Sequence, residues 1–388
     1  MTIVSRNRPL LMDARMLGTD GAAGVTGVAT YARSLRAAQR SIDPTAGLLS
    51  SPPSTGPAAA YGRALRAALP LGARARPDAA GWAVADLFQT AHIHFTLHRR
   101  LLSVRVPGPA GLIHWSYPVP LRLAGWRNLY TVHDAIPLLH PELTQIGRDR
   151  HERVLRRILV TADRIVTVSA AARGDIVQAL GCDPALVVDC SQPVDVAVGR
   201  ARDAPFGLAR DGYLLVCGTV EPRKNVARLL RAYRASGTGM PLVVAGPDGW
   251  RADASAALIA ETPGVRRVAS VDRDAMSALI AGARALLMPS LAEGFGLPVA
   301  EAMALGVPVL TSARGALAET AGAAALLVDP EDEGMIARGI AELATDDASC
   351  ARLAARGAER ARRFSPEAFA RQLGALYATV FAQGPDRA

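Results

Sequence analysis

Two glutamates eight positions apart flank a glycine-containing turn in the second half of the sequence. Glu293 lies in the turn, after an apolar run, and Glu301 lies one turn inside the helix that Pro298 is expected to open. The N–H groups at such a helix start, and the positive end of its dipole, favour negative charge or sugar hydroxyls. The pattern therefore predicts a site for a ligand of that kind. An ordinary helix start that favours acidic residues would account for Glu301 but not for Glu293.

Two basic residues lie at another predicted helix start. Residues 213–217 are a strand-like apolar run and residues 226–235 have a helical pattern, with Arg223 and Lys224 just before the helix. Cations are disfavoured there by about 0.3–1 kcal/mol each, which indicates that an anion binds to them. Lys224 is the only lysine in the chain, against 43 arginines. A compact ammonium can fit on a phosphate where a planar guanidinium does not, although a chance surface lysine is the alternative.

These two segments resemble the signature of retaining, nucleotide-sugar-dependent glycosyltransferases of the GT-B fold, family 4 (glycosyl transferases group 1). That family includes bacterial mannosyl- and glucosyltransferases. The resemblance is strong over residues 213–329 and patchier before them. It implies that Glu293 contacts hydroxyls of the donor sugar and that Glu301 contacts the ribose of the nucleotide.

The resemblance also implies the remaining contacts to the donor. Arg223 and Lys224 would hold the diphosphate and stabilise the charge that grows on it as the sugar leaves. The nucleotide base would lie near Val271 and Asp272, at the end of a second-domain strand. Asp272-Arg-Asp274 also mimics the metal-binding carboxylate pair of another transferase fold, but we interpret it as a solvated acidic pair and expect no metal. The turn beside Glu293 would contribute Gly294, Phe295, Gly296 and Leu297.

A histidine and an aspartate follow a predicted strand of the first half. His133 and Asp134 come directly after residues 129–132, and ligands bind beyond the carboxyl ends of parallel strands. A structural histidine is the alternative. The match to the family's Val-His-Asp strand end implies that His133 lines the donor-sugar site and makes Asp134 a further catalytic candidate.

A glycine loop near the N-terminus resembles the loop whose backbone approaches the diphosphate and the acceptor in that family. Gly24 and Gly27 permit such an approach. Ala23 stands where the family usually has the first of two adjacent glycines.

Three closely spaced histidines raise the alternative of a zinc site. His92 and His94 would share one face of a strand predicted at residues 91–95, with His98 nearby. No fourth ligand is evident in the sequence, and we predict no metal site.

The order of strand and helix patterns predicts an α/β protein of two facing Rossmann-like domains with parallel sheets. A chain of 388 residues suits two domains of that size. We expect an acceptor-binding domain at residues 1–195, a nucleotide-sugar-binding domain at 196–365, and a C-terminal helix at 366–388 that crosses back to the first domain. First-domain strands are predicted at residues 10–13, 91–95, 111–114, 128–132, 165–168 and 186–188. Second-domain strands are predicted at 214–217, 242–245, 265–269, 285–288, 307–311 and 324–328.

The excess positive charge belongs to the first half. Residues 1–190 hold 22 arginines and 13 acidic residues, a balance of +9, and the remainder is neutral with 22 of each sign. Such a surface suits a phospholipid membrane or a polyprenyl-diphosphate acceptor, whereas nucleic acid is not expected without basic-aromatic interleaving. Arg-rich helices predicted at residues 61–76 and 148–158 could lie on an anionic membrane, or be surface helices whose apolar stripe faces the core.

Composition favours a cytoplasmic protein, with peripheral attachment to the inner face of the plasma membrane as an extension. We predict no transmembrane helix and no signal peptide. The four cysteines, Cys182, Cys190, Cys217 and Cys350, lack metal-ligand spacing and are interpreted as free thiols.

Together these features predict a metal-independent hexosyltransferase that keeps the anomeric configuration. The resemblance implies GDP-mannose as the donor, followed by UDP-linked sugars, and the expected acceptor is a lipid-diphosphate-linked glycan or an oligosaccharide. No cofactor beyond the donor is expected. A nucleotide-sugar epimerase of the same architecture and a non-catalytic subunit of a partner transferase are the alternatives.

Overall fold

Alternating strands and helices build two parallel sheets in the computed structural model, which describes residues 8–18, 26–54, 59–69, 72–196 and 205–383. The first-half strands are β1 (Leu10–Asp13), β2 (Gly47–Ser50), β3 (Ala73–Arg74), β4 (Arg76–Asp78), β5 (Gly81–Ala83), β6 (Leu102–Arg105), β7 (Leu112–Trp115), β8 (Leu121–Leu123), β9 (Arg127–Thr131), β10 (Arg164–Thr167) and β11 (Val187–Asp189). The helices are α1 (Gly27–Ile42), α2 (Ala59–Ala68), α3 (Leu87–His98), α4 (Ile136–Leu139), α5 (Arg148–Thr161) and α6 (Ala170–Leu180).

Within the described residues, eight of these strands form the first sheet, in the order β11-β10-β9-β7-β1-β2-β5-β4. All neighbours pair in parallel except β4 and β5. The central strands β1 and β7 are buried at every position, as expected for a parallel sheet that helices cover on both faces. A small second sheet, β3-β6-β8, lies apart from it.

The second half contains a six-stranded sheet, as far as it is described, in which all pairs are parallel. Its strands are β12 (Leu214–Cys217), β13 (Leu242–Ala245), β14 (Val265–Val268), β15 (Ala285–Met288), β16 (Val309–Ser312) and β17 (Leu326–Val328), in the order β14-β13-β12-β15-β16-β17. The helices are α7 (Val226–Ala235), α8 (Asp253–Glu261), α9 (Arg273–Gly282), α10 (Leu297–Ala304), α11 (Gly315–Ala321), α12 (Glu333–Thr345), α13 (Asp347–Ala361) and α14 (Pro366–Ala382). Single 3-10 turns occur at Pro141–Leu143, Pro184–Leu186, Pro222–Lys224, Gly322–Ala324 and Arg362–Phe364.

Two predicted elements of the first half are wrong. Residues 91–95 are part of helix α3 rather than a strand. The helix predicted at residues 61–76 ends at Ala68, and β3 and β4 occupy its second part. Pro70 and Gly72 explain the early end, because proline lacks the N–H of a helical hydrogen bond and glycine disfavours a helix.

The C-terminal helix α14 packs on the first domain, as expected, through a buried hydrogen-bonded network. The Tyr377 hydroxyl accepts from Gln39 Nε2 on α1 at 3.0 Å and contacts His114 Nδ1 on β7 at 2.7 Å. His114 Nε2 lies 2.9 Å from Thr131 Oγ1, which in turn lies 2.9 Å from the Tyr31 hydroxyl. Burial lowers the pKa of His114 to about 3, so the network is uncharged near neutral pH.

The two Arg-rich helices differ in where their apolar residues lie. On α5, Val154, Leu155 and Ile158 are buried, so this stripe faces the core and is not available to a membrane. On α2, by contrast, Leu65 is 51% exposed, and on the adjacent α3 Leu97 is 57% exposed. None of the helices in the described part of the chain is long and apolar enough to cross a membrane.

Candidate active site

The Arg223–Lys224 pair lies in a tight turn between β12 and α7. Pro222–Lys224 form one turn of 3-10 helix, and Asn225 follows in the left-handed conformation at φ 60°. The Asn225 side chain is buried and donates to the Pro289 carbonyl at 3.0 Å and the Pro330 carbonyl at 2.7 Å. Two loops of the second sheet therefore fix the position of the two cations.

Both cations meet the carboxylate of Glu293. Lys224 Nζ lies 2.7 Å from Glu293 Oε1, and the Arg223 guanidinium binds Glu293 Oε2. Arg223 also pairs with Glu221 at 2.6 Å. Burial by itself would raise the pKa of Glu293, but Arg223 and Lys224 lower it to about 2. Glu293 is therefore a stable carboxylate across the physiological range, and it holds two cations close together.

The glycine beside Glu293 is a point of close contact between the two domains. A Cβ at Gly294 would collide with the carbonyl oxygen of His133 and would lie 3.2 Å from the Asp134 Cβ, both in the first domain. Ser169, which caps α6, donates its hydroxyl to the Gly294 carbonyl at 2.7 Å. Only glycine allows this approach, so the sequence brings the Glu293 turn against the His133–Asp134 strand end.

His133 is held as a neutral ring with a defined tautomer. Its Nε2 lies 3.0 Å from the Ser116 carbonyl, which can only accept, so Nε2 carries the proton. The ring makes an edge contact with Tyr31 and stacks on Tyr117, with centroids 4.8 and 6.2 Å away. Burial lowers the pKa of His133 to about 4, so the imidazole is uncharged near neutral pH.

Asp134 lies within the electrostatic field of the same cluster. Burial raises its pKa, while the Arg223 guanidinium and the Ile136 backbone N–H act in the opposite direction. Its Oδ1 accepts from that N–H at 2.9 Å. The structure thus brings together four candidates from distant parts of the sequence: His133, Asp134, the cation pair and Glu293.

Glu301 lies on α10, one turn after the first residue of the helix. Gly296 occupies the N-cap position at φ 96°, and no side chain caps this end. Burial raises the pKa of Glu301 to about 7, and Arg273 opposes that rise from 3.6 Å. A carboxyl group with that pKa can donate or accept a hydrogen bond near neutral pH, which suits a hydroxyl ligand.

The other residues predicted to contact the sugar-nucleotide donor also have structural roles. The Phe295 ring is buried and packs edge-on against Phe364, so only its backbone is available to a ligand. Asp272 caps α9 by accepting from the Ala275 N–H at 2.8 Å, and Val271 packs against the core. Leu297 is the first residue of α10. Gly27 is the first residue of α1, whereas Gly24 lies outside the described residues.

The three histidines considered for zinc lie on α3. His94 and His98 have ring centroids 4.5 Å apart, whereas His92 accepts a hydrogen bond from Arg150. In the described ranges, no group of three histidines, cysteines or acidic residues could hold a metal ion.

Sequence reasoning missed the side chains that bridge the domains. Arg273, at the start of α9, donates to Thr30 Oγ1 at 3.1 Å and to the Asp195 carbonyl at 2.9 Å while it faces Glu301. Glu319 on α11 accepts from the N–H groups of Ala170 and Ala171 at the start of α6, at 2.9 and 2.6 Å. Arg273 lies between the two aspartates of the Asp272-Arg-Asp274 pattern, but neither that pattern nor the sequence around Glu319 indicates which domain the side chain will meet.

Comparison with known proteins decides the family. A sequence model described as Glycosyl transferases group 1 matches residues 203–360. O-antigen chain mannosyltransferase B of Escherichia coli is 34% identical over 268 residues, which is 65% of this chain and 70% of that protein. The chain belongs to the glycosyl transferases group 1 family. It is a glycosyltransferase, as the paired-glutamate and Arg-Lys motifs predict.

Solved structures of this glycosyltransferase fold agree with the two-sheet architecture. Sucrose-phosphate synthase of Thermosynechococcus elongatus has a TM-score of 0.72 at 22% identity, covering 97% of this chain and 99% of that one. Anabaena HepE, solved in complex with UDP and glucose, has a TM-score of 0.67 at 16% identity, covering 96% and 100%. The expected α/β fold with two Rossmann-like domains is confirmed.

Proposed function

We propose that this glycosyltransferase moves a hexose from a nucleoside-diphosphate sugar to an acceptor hydroxyl and keeps the anomeric configuration. Residues 196–365 bind the donor, residues 1–195 bind the acceptor, and the final helix ties the second unit to the first. One observation carries the proposal: Arg223, Lys224 and Glu293 converge on the point where Gly294 meets His133 and Asp134.

The cation pair suits the donor diphosphate. Arg223 is fixed by Glu221 and by the Ala292 carbonyl, which accepts from it at 3.1 Å, so its orientation is set before a ligand arrives. Oriented donors of this kind lower a barrier by about 2.7–4 kcal/mol each when charge develops on the group they face. The leaving diphosphate is such a group, and the chain's own cations can neutralise it.

The sugar and the ribose are assigned to the two glutamates. Glu293 accepts hydrogen bonds from sugar hydroxyls as a permanent carboxylate, and neutral His133 faces the same region from the first domain. Glu301 binds the ribose hydroxyls beside the start of α10. The contact between Gly294 and the first domain excludes water from the reacting bond, which protects a sugar cation-like transition state from hydrolysis.

Mannose is the proposed sugar and GDP the proposed nucleotide, with UDP-linked sugars as the second choice. The similarity to an O-antigen chain mannosyltransferase supports mannose. The HepE complex supports UDP as the competing nucleotide, because that protein binds UDP in the same fold. The proposed acceptor is an oligosaccharide or a lipid-diphosphate-linked glycan.

An apolar ridge beside exposed arginines supports attachment to an anionic membrane. Leu65 on α2, Leu69 just after that helix, and Ile93 and Leu97 on α3 are all exposed, and the two helices are in contact. Arg99 and Arg100 at the end of α3 are exposed as well. Flotation with anionic vesicles at low and high salt tests this attachment, and Leu97→Ser is expected to weaken it. Failure of the wild type to float at low salt would exclude it.

A thermal-shift screen across nucleoside diphosphates tests the donor assignment, because a bound ligand raises the melting temperature by mass action. We expect GDP or UDP to raise it in the wild type and in Arg157→Gln, an exposed substitution on α5, but much less in Lys224→Ala. A transfer assay with the matching sugar nucleotide then identifies the sugar and the anomer. Absence of any nucleotide effect would overturn the proposal.

A further inference from the structure

One nitrogen of the Arg15 guanidinium has no hydrogen-bond partner among the described residues, and it lies in the first domain, close to the proposed donor-sugar site. Arg15 follows β1, and its buried NH1 nitrogen makes no hydrogen bond to any part of the chain that the structure describes. Asp13 lies two residues before it, and the Arg15 charge opposes the rise that burial causes in the pKa of Asp13, but Oδ1 and Oδ2 of Asp13 accept from the Ser116 backbone N–H and hydroxyl. A buried donor without an acceptor costs free energy, so the site is suited to a ligand that supplies one.

Two aromatic rings fix the direction of this guanidinium. Arg15 Cζ lies 5.8 Å from the centroid of Phe88 on α3 and 5.7 Å from that of Tyr117, which follows β7. Contacts with ring faces hold a guanidinium while leaving the N–H groups at its edge free to bind a planar or tetrahedral anion.

A second arginine lies in the same neighbourhood. Arg150 NH2 on α5 lies 3.0 Å from His92 Nδ1 on α3, and because arginine can only donate, Nδ1 accepts. Burial, Arg15 and Arg150 lower the pKa of His92 to about 4. His92 is therefore neutral near neutral pH and balances neither arginine. Arg15 and Arg150 therefore both place positive charge near a neutral histidine, which favours an anion there.

The cluster lies on the acceptor side of the proposed reaction centre. Tyr117, which contacts Arg15, stacks on His133 with an interplanar angle of 27°. A ligand held by Arg15 is therefore separated from the donor-sugar site by one aromatic ring. A separation of one ring suits a group of the acceptor that is remote from the reacting hydroxyl.

We propose that Arg15 and Arg150 bind a phosphate group of the acceptor, so that the acceptor is a phosphorylated or diphosphate-linked saccharide. Phosphate matches the fork of a guanidinium and can bridge two of them. This inference rests on the proposed function and narrows its acceptors to those that carry a phosphate group. Two sources share the chemistry, a soluble sugar phosphate and a lipid-linked diphosphate.

Calorimetric titration in the presence of saturating GDP and UDP tests the site directly. The probes are mannose 6-phosphate with mannose as its neutral counterpart, and farnesyl diphosphate with farnesol. We expect the wild type to bind at least one phosphate probe and neither counterpart. Affinity should fall by about tenfold or more in Arg150→Gln and Arg15→Gln and stay unchanged in Arg157→Gln, an exposed arginine two turns along α5.

The probe that binds identifies the source: mannose 6-phosphate indicates a soluble acceptor and farnesyl diphosphate a lipid-linked one. Arg150 is exposed, so its substitution tests the site even if Arg15→Gln fails to fold. Wild-type protein that binds neither probe, or substitutions that leave binding intact, would overturn the inference. The nucleotide thermal shift distinguishes failure of the donor assignment from failure of the acceptor-phosphate site, because the shift is expected to depend on Lys224 and not on Arg150.

Discussion

Glu293 holds Arg223 and Lys224 in one place, although both are cations and would otherwise repel each other. In a donor complex the diphosphate and the Glu293 carboxylate would share these two positive charges. Loss of Glu293 or of one of the two cations therefore changes both the position and the net charge of the groups that form the proposed diphosphate site.

Glu293→Ala and Lys224→Ala should each lower the transfer rate by about two orders of magnitude or more. Lys224→Ala removes a positive charge that faces the leaving diphosphate, whereas Glu293→Ala removes the carboxylate that holds Arg223 and Lys224 together and that is assigned to the sugar hydroxyls. Initial rates at saturating donor measure the effect, and circular dichroism melting checks that each variant is folded. Near-normal rates in either variant would remove that residue from the assignment.

Glu301 should make stability depend on pH. Its folded pKa of about 7 lies above the ordinary value of 4.5, so between these values the folded state binds more protons than the unfolded state. The free energy of unfolding contributed by this group therefore falls as pH rises from about 5 to 8. The difference in melting temperature between Glu301→Gln and wild type should shift in favour of the variant over this range. A constant difference would contradict the prediction, and comparing the two proteins cancels the titration of other groups.

At the scale of elements, the Glu293 turn and the start of α6 form the contact between the two domains. The Ser169 hydroxyl donates to the Gly294 carbonyl, and N–H groups at the start of α6 donate to the Glu319 carboxylate of the second domain. The turn that carries the proposed catalytic carboxylate is thus also a domain contact. The proposed site is therefore complete only where the two domains are in contact.

Gly294→Ala should separate donor binding from transfer. The added methyl group needs the space of the His133 carbonyl, so the domains cannot approach fully, while the cation pair stays in place. We expect the nucleotide thermal shift to persist and transfer to fall by about tenfold or more. Gly174→Ala in α6 is the matched control, because a Cβ there meets no atom within 4 Å. Equal rates in both variants would argue against closure as a requirement.

The second-domain strands were predictable because each is a short apolar run that is buried on both faces, such as residues 285–288. Helix α3 was not predictable, because apolar residues and histidines alternate over residues 91–95, which by itself is typical of a strand. Its buried positions, 87, 90, 91, 94 and 95, recur with helical spacing only over the full length. The sequence did not reveal the roles of Arg273 or of the proposed phosphate site at Arg15 and Arg150. Their partners lie on other elements, and no spacing along the chain encodes those contacts.

At the scale of the whole molecule, the last helix completes the core of the first domain. Tyr377→Phe should lower the free energy of unfolding by about 1–3 kcal/mol, because Gln39 and His114 would lose a buried partner. Chemical denaturation measures the change. Thr379→Ala on the exposed face of the same helix should have little effect, and equal losses in both variants would contradict a special role for the network.

The packing of α14 against α1 also has a consequence for biosynthesis. Leu10 and Tyr31 near the start of the chain share one buried cluster with Leu373 and Tyr377 near its end. This part of the cluster therefore lacks its C-terminal contacts until the last helix has been synthesised, and a chain that stops before residue 366 would never make them.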